Sequence, residues 1–223
     1  MSYAIAIDGP AGAGKSTMAK FLAKELELIY VDTGALYRAI GYYMVNNDIA
    51  IDDDAAVVAA LDGVRVFLAY TGGEQRVFVN DADVSDRIRT PQISMAASRV
   101  SAIPAVRAFL LNLQRDIAAT HSVIMDGRDI GTTILPNADV KIFLTASPEA
   151  RAERRYKELI EKGESVTFED VLADMVKRDY DDAHRAASPL RKADDAIEVD
   201  TGDLTLEESI AKMKEVILEN LGE

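Results

Sequence analysis

Cysteine is absent from the 223 residues, which excludes disulfides, a thiol nucleophile and a cysteine-ligated zinc site. Histidine is scarce. His121 and His184 are isolated, with no partner at ligand spacing, so structural or surface roles are expected for both. Basic charge is also in deficit: 25 Lys plus Arg face 38 Asp plus Glu, a formal net charge of −13. Broad non-specific nucleic-acid binding would need the opposite balance. No stretch of about 18 apolar residues is available to span a bilayer. The opening Met1-Ser2-Tyr3-Ala4-Ile5-Ala6-Ile7 carries no basic residue and reaches Asp8 too early for a secretory signal. A cytoplasmic protein is expected, monomeric and with neither a membrane nor a nucleic-acid partner.

What is present suits a globular chain. Apolar residues make up 48% and charged residues 28%, enough to bury a core and too ordered a mixture for disorder. Short β-branched runs alternate with longer stretches of helical period, the βαβ pattern of a parallel sheet. Strands are expected at Tyr3–Asp8, Ile29–Val31, Val123–Asp126, Val140–Thr145 and Ala196–Val199. Lys15–Leu26 reads as a helix with Met18, Phe21, Leu22 and Leu26 on one face. Ala105–Ala119 reads likewise with Val106, Phe109, Leu110, Leu113 and Ile117. Ser147-Pro148-Glu149 marks one helix start, and Thr205-Leu206-Glu207-Glu208 is a capping box for the last helix, whose stripe is Ile210, Met213 and Ile217.

Between Val64 and Pro91 the rhythm changes. Val64–Leu68 and Arg76–Val79 alternate around Gly72-Gly73, which predicts a β-hairpin between helices at Asp52–Leu61 and Pro91–Ser101. Asp52-Asp53-Asp54 reads as capping acid rather than as a metal site. Tyr42-Tyr43-Met44 reads as core on the second helix. The expected organisation is one domain: a core over 1–48 and 104–223, and an insertion over about 49–103.

Gly9-Pro10-Ala11-Gly12-Ala13-Gly14-Lys15-Ser16 fits G-x-x-x-x-G-K-[ST] in full, after a strand and at the start of a helix. Glycines let the backbone wrap closely, and successive N–H groups point inward as an anion nest. The helix adds its positive dipole end. Lys15 can reach β- and γ-phosphates, and the Ser16 hydroxyl can ligate Mg²⁺. The competing reading is a plain glycine turn. No N-K-x-D or L-S-G-G-Q motif accompanies the loop, which leaves small-molecule kinases as the leading class.

Phosphoryl transfer needs a second anion site, and arginine's planar fork suits it. Residues 147–192 hold ten basic against eleven acidic side chains, whereas the remainder holds fifteen against twenty-seven. Arg151, Arg154 and Arg155 share one helical face, and the Lys162-Gly163-Glu164-Ser165 turn would let two helices act as a flap. The alternative is a solvated helix whose arginines pair with Glu158 and Glu149. Val123-Ile124-Met125-Asp126 ends in a carboxylate where a magnesium-ordering acid belongs, ordering the ion through water. Gly127-Arg128-Asp129 follows at the carboxyl edge of the sheet, where ligands bind in open α/β folds.

These blocks resemble the bacterial-type cytidylate kinases, within the nucleoside monophosphate kinases. The matching stretches are Ile7 to Thr17, Asp32-Thr33-Gly34-Ala35-Leu36-Tyr37-Arg38, Asp126 to Thr132, and Arg178-Asp179 through Asp182, Arg185 and Ser188-Pro189-Leu190. They come in the family's order and cover essentially the whole chain. The resemblance implies an α/β P-loop kinase: a five-stranded parallel sheet flanked by helices, an inserted monophosphate-binding subdomain with a small hairpin or sheet, and a helical lid at about 150–177. It implies transfer from ATP, with Mg²⁺, to CMP or dCMP.

Carried over by position, Lys15, Arg128, Arg185 and Asp126 look catalytic. Gly9 to Thr17, with Arg154 and Arg155, look ATP-binding. Arg38, Arg128 and Arg185 resemble the clamp on the acceptor phosphate. Thr33, Tyr37, Arg178 and Asp182 resemble the pentose contacts, and Ser98, Arg107 and Asp129 the cytosine readers. Many relatives have serine where Thr33 stands, so an added methyl lies near the sugar. A kinase for another pyrimidine monophosphate such as UMP, and a nucleotide-dependent regulator, are the alternatives.

Overall fold

The computed structural model describes residues 3–71 and 74–222. The chain divides into two compact units, one formed by Met1–Ile29 with Ser122–Glu223 and the other by Tyr30–His121. The insertion expected over 49–103 lies inside the second unit, which also takes in the helices on either side.

The first unit is built on a five-stranded parallel sheet. Its strands are β1 (Ala4–Asp8), β6 (Val123–Gly127), β7 (Val140–Thr145), β8 (Ile197–Asp200) and β2 (Ile29–Asp32), of which only Ile29 belongs to this unit, in the order β2-β6-β1-β7-β8. Ile29 brings β2 to the sheet by donating its N–H to the Ser122 carbonyl at 2.9 Å. β1 and β6 lie inside the sheet, and their Ile5, Ala6, Ile7, Val123, Ile124 and Met125 are wholly buried. Strands covered on both faces read as nearly continuous apolar runs, which made them visible in the sequence. β8 begins and ends one residue later than expected, pairing Thr145 with Asp200.

Helices α1 (Lys15–Glu25), α6 (Pro148–Glu161), α7 (Phe168–His184) and α8 (Leu206–Leu221) complete this unit. The Ser147 side chain accepts from the Ala150 N–H at 3.1 Å, and Thr205 with Glu208 forms the expected capping box. The apolar face of α1 is rotated from the expected one. Met18 and Leu22 are buried together with Ala19 and Ala23, and Phe21 is 52% exposed. Two alanines on the buried stripe let the helix backbone pack close, and Phe21 falls outside that arc.

The second unit holds α2 (Thr33–Asn46), α3 (Asp54–Ala60), the antiparallel strands β3 (Val66–Thr71), β4 (Glu74–Val79) and β5 (Ala82–Asp83), then α4 (Pro91–Ser101) and α5 (Pro104–Thr120). One apolar core runs through it, including Leu36, Ile40, Met44, Val57, Val77, Val100 and Leu110. Phe67 and Phe78 face each other across the hairpin and stack at 4.8 Å. Gly72 and Gly73, expected at its turn, lie outside the described residues.

The helix expected over Asp52–Leu61 is shorter, because Asp53 caps it by accepting from the Ala56 N–H at 3.1 Å. Asp52 and Asp54 both pair with Arg99. Met44 is core as expected, and Tyr42 and Tyr43 are half-buried and packed against the same core. On α5, Phe109 is 37% exposed, while Arg107 and Gln114 share the buried face with Val106 and Leu110. Among the described residues no single helix is long and apolar enough to cross a membrane.

Candidate active site

In the first unit, the glycine-rich loop joins β1 to α1. Gly9 has φ 149°, and a Cβ there would stand 2.0 Å from the Leu144 carbonyl oxygen, so no other residue fits. α1 starts on Gly14, at φ 87°, with no side-chain cap and no acid in its first turn. By contrast α2, α4, α6, α7 and α8 each have an Asp, Thr or Ser side chain on their first N–H groups. A helix that starts uncapped, behind a glycine-rich loop, is suited to an external anion.

Lys15 is buried and folds back to donate to the Pro10 carbonyl at 2.7 Å. Burial lowers its pKa well below the usual lysine value, and the positive charge of Arg128 adds to this; Asp126, Asp8 and Asp182 pull the other way. The ammonium thus feels both the loop and the arginine set beyond it. Ser16 Oγ donates to Asp126 Oδ2 at 2.9 Å. This hydroxyl-carboxylate pair is an all-oxygen donor set of the kind Mg²⁺ prefers when water and phosphate complete its shell. The residues present therefore fit that ion.

Four of the residues singled out in the sequence converge beyond β6. Arg128 Nε donates to Asp182 Oδ2 at 2.8 Å, and Arg185 Nη1 lies 3.8 Å from Asp182 Oδ1. Arg185 also reaches Asp129 Oδ1 at 3.4 Å, and its Nε donates to the Ser188 carbonyl at 2.7 Å. Burial, the largest single influence, pushes the pKa of Asp182 upward, but Arg128, Arg178 and Arg185 together outweigh it, and the net shift is down. Two carboxylates thus preorganise two arginines with little exposed area, in a water-poor setting where their charge acts strongly.

The arginines of α6 part company. Arg151, 3% exposed, donates to the Ala11 carbonyl of the glycine loop at 2.9 Å, to the Ala146 carbonyl at 2.9 Å and to Asp179 Oδ2 at 2.6 Å. Arg154 turns instead to the carbonyls of Thr201 and Gly202. Arg155 pairs on the surface with Glu158 at 2.7 Å. Arg151 is the residue whose contact with the loop the sequence did not disclose, because helical spacing gives the shared face but not which member turns inward. His184 stacks on Tyr180 and His121 bonds Thr120, the surface roles expected of them.

The second unit carries a separate constellation. Thr33 is buried in the first turn of α2, and Tyr37, one turn on, lies under the guanidinium of Arg107 at 5.3 Å. Arg107 Nη1 donates to the Ser101 carbonyl at 3.3 Å, and Ser101 Oγ donates to the Ser98 carbonyl at 2.9 Å. Tyr37, Ser98 and Arg107 are therefore neighbours. Arg38 makes its ion pair with Asp32 at 2.7 Å, and Arg89 stands 3.9 Å from the same carboxylate. Asp32 also caps α2 through the Ala35 N–H at 2.9 Å. Arg89 carried no sequence signal, lying on a loop 57 residues from its partner.

The sequence model of the family described as Cytidylate kinase matches residues 5–219. A cytidylate kinase of Carboxydothermus hydrogenoformans is 49% identical, with 96% of each chain covered. One from Lactobacillus johnsonii is 50% identical over 96% of this chain and 93% of its own. One from Clostridium tetani is 44% identical over 97% of this chain and 94% of its own.

Proposed function

The chain belongs to the cytidylate kinase family, and from that membership we propose that it phosphorylates CMP and dCMP at the expense of ATP. The reaction is a direct in-line transfer. An oxygen of the acceptor's phosphate bonds to the γ-phosphorus as the bond to the β,γ-bridging oxygen breaks, giving CDP or dCDP and leaving ADP. The acceptor oxygen is already ionised, so no strong general base is needed.

The loop Gly9–Thr17 holds the donor phosphates, and Lys15 exchanges its Pro10 partner for them. Ser16, directly, and Asp126, through water, would hold Mg²⁺, which would neutralise charge on the donor phosphates. Arg128 and Arg185 grip the acceptor phosphate and cover charge developing on the transferred group, with Arg38 from the second unit in the same role. Arg178 and Asp182 contact the pentose, as do Thr33 and Tyr37. Arg154 and Arg155 join the donor phosphates once they leave their present partners, as parts of a lid spanning about 150–177.

Base choice follows from hydrogen-bond polarity. Cytosine offers an N4 donor beside N3 and O2 acceptors. Asp129 accepts from N4, while Arg107 and Ser98 donate to the acceptors. Uracil would turn an oxygen toward Asp129. A cytoplasmic monomer accompanies this reading.

The observation that carries the proposal is the Ser16 Oγ to Asp126 Oδ2 hydrogen bond at 2.9 Å, which sets the phosphate loop against the end of β6, two residues before Arg128. A coupled assay offering ATP with CMP, dCMP, UMP, AMP and dTMP tests it. CMP and dCMP should be preferred. Lys15→Ala should lower turnover by roughly three orders of magnitude or more with CMP binding kept. Undiminished turnover would remove the donor-site assignment.

A further inference from the structure

Among the described residues of the first unit, one buried carboxylate remains outside these roles. Asp8 is the last residue of β1 and 5% exposed. Its Oδ1 accepts from the Ile130 N–H at 2.7 Å and its Oδ2 from the Gly131 N–H at 2.8 Å. Burial disfavours its charge, and the negative charge of Asp129 adds to the disfavour. Placing a carboxylate there is costly, and a simple loop anchor would not need one. Two parallel N–H donors do need one, because of the short polar side chains only a carboxylate presents two acceptor oxygens side by side.

The clamp holds a short span. Asp8 pairs in register with Gly127, the last residue of β6, through the sheet. Its carboxylate then takes hold of the chain again at Ile130 and Gly131, the start of a single π-helical turn over Ile130–Ile134. Only Arg128 and Asp129 lie between the two anchor points. The residue after Asp8 is Gly9, where the phosphate loop begins. One residue thus ties the donor loop to the pair of side chains assigned to the acceptor's phosphate and base.

We propose that Asp8 is a positioning residue, whose carboxylate fixes the aim of Arg128 and Asp129 relative to the phosphate loop. The inference rests on the roles given above to those two side chains. Asp8→Asn sets an NH₂ donor against one of the two backbone donors. In the full-length variant, KM for CMP should rise about tenfold and the preference for CMP over UMP should narrow, from loss of one buried charge-assisted bond. KM for ATP should stay within roughly threefold, since the amides of the loop are untouched. An unchanged KM for CMP overturns the proposal, as does an equal rise in both KM values.

Asp129→Asn separates this from the base assignment. If it leaves the CMP-to-UMP ratio unaltered, the role of Asp129 is wrong. If it narrows the ratio and Asp8→Asn does not, the clamp is wrong. Should Asp8→Asn fail to fold, amide exchange in the unaltered protein decides. Protection of the Ile130 and Gly131 amides comparable to that of Val123–Asp126 sustains the clamp, and exchange as fast as an open loop refutes it.

Discussion

Replacing Asp8 by asparagine should also change how stability depends on pH. Burial, opposed by the Gly131 and Ile130 amides, raises the Asp8 pKa from 3.8 to about 6. The folded chain therefore binds this proton more tightly than the unfolded chain does. Below pH 3.8 the group is neutral in both states and costs nothing. Between pH 3.8 and 6 the unfolded chain ionises first, and the fold loses stability as pH rises. Above pH 6 the loss is complete, at about 3 kcal/mol from the difference between the two values.

Asparagine never ionises, so it carries no such slope, and its mismatched donor adds an offset that pH does not alter. Urea unfolding followed by circular dichroism, at steps from pH 3.5 to 7.5, gives the stability of both proteins. Groups that do not interact with Asp8 are shared and drop out of the difference; Asp129 and Lys15, whose charges act on Asp8, stay in it. The difference should move in favour of Asp8→Asn by about 3 kcal/mol across that range, or about 6–12 °C in Tm for a chain of this size. A flat difference between pH 4 and 7 would refute the account of Asp8 as a carboxylate ionised at a cost. A variant that is steadier at neutral pH yet poorer with CMP would show stability given up for aim.

Two other perturbations test α6. Arg151→Met leaves Asp179 without its partner beside an already unbonded buried Oδ1; it should destabilise the protein by about 2–4 kcal/mol and raise KM for ATP, by denaturant unfolding and kinetics. Adding Asp179→Asn should recover part of the stability but not the KM, and recovery of neither would mean that the pair is not coupled. Arg155→Ala breaks an exposed pair with Glu158, so stability should change by less than about 1 kcal/mol while kcat falls about tenfold or more. An intact kcat would leave Arg155 as a surface residue.

What the sequence determined by itself was whatever is written in short-range pattern. The glycine loop, the helix that follows it, the Ser147 and Thr205 caps and the buried strands β1, β6 and β7 all depend on residues within a few positions of each other. Local propensity and periodicity suffice there. The resemblance added an expected role for particular arginines. Side-chain direction was legible only to within a face. The face of α1 was misjudged at Phe21, since two apolar residues one position apart compete for one stripe and packing chooses.

Tertiary structure alone decided the partners. Asp8 meets Ile130 and Gly131 across more than 120 residues of chain; Arg151 meets Ala11 across 140; Arg128 meets Asp182 across 54. No spacing rule links such positions, because they are joined by strand order and by burial, which make an unpaired charge too costly to leave. The glycine loop was therefore legible in one dimension, and the partners that hold its surroundings in place only in three.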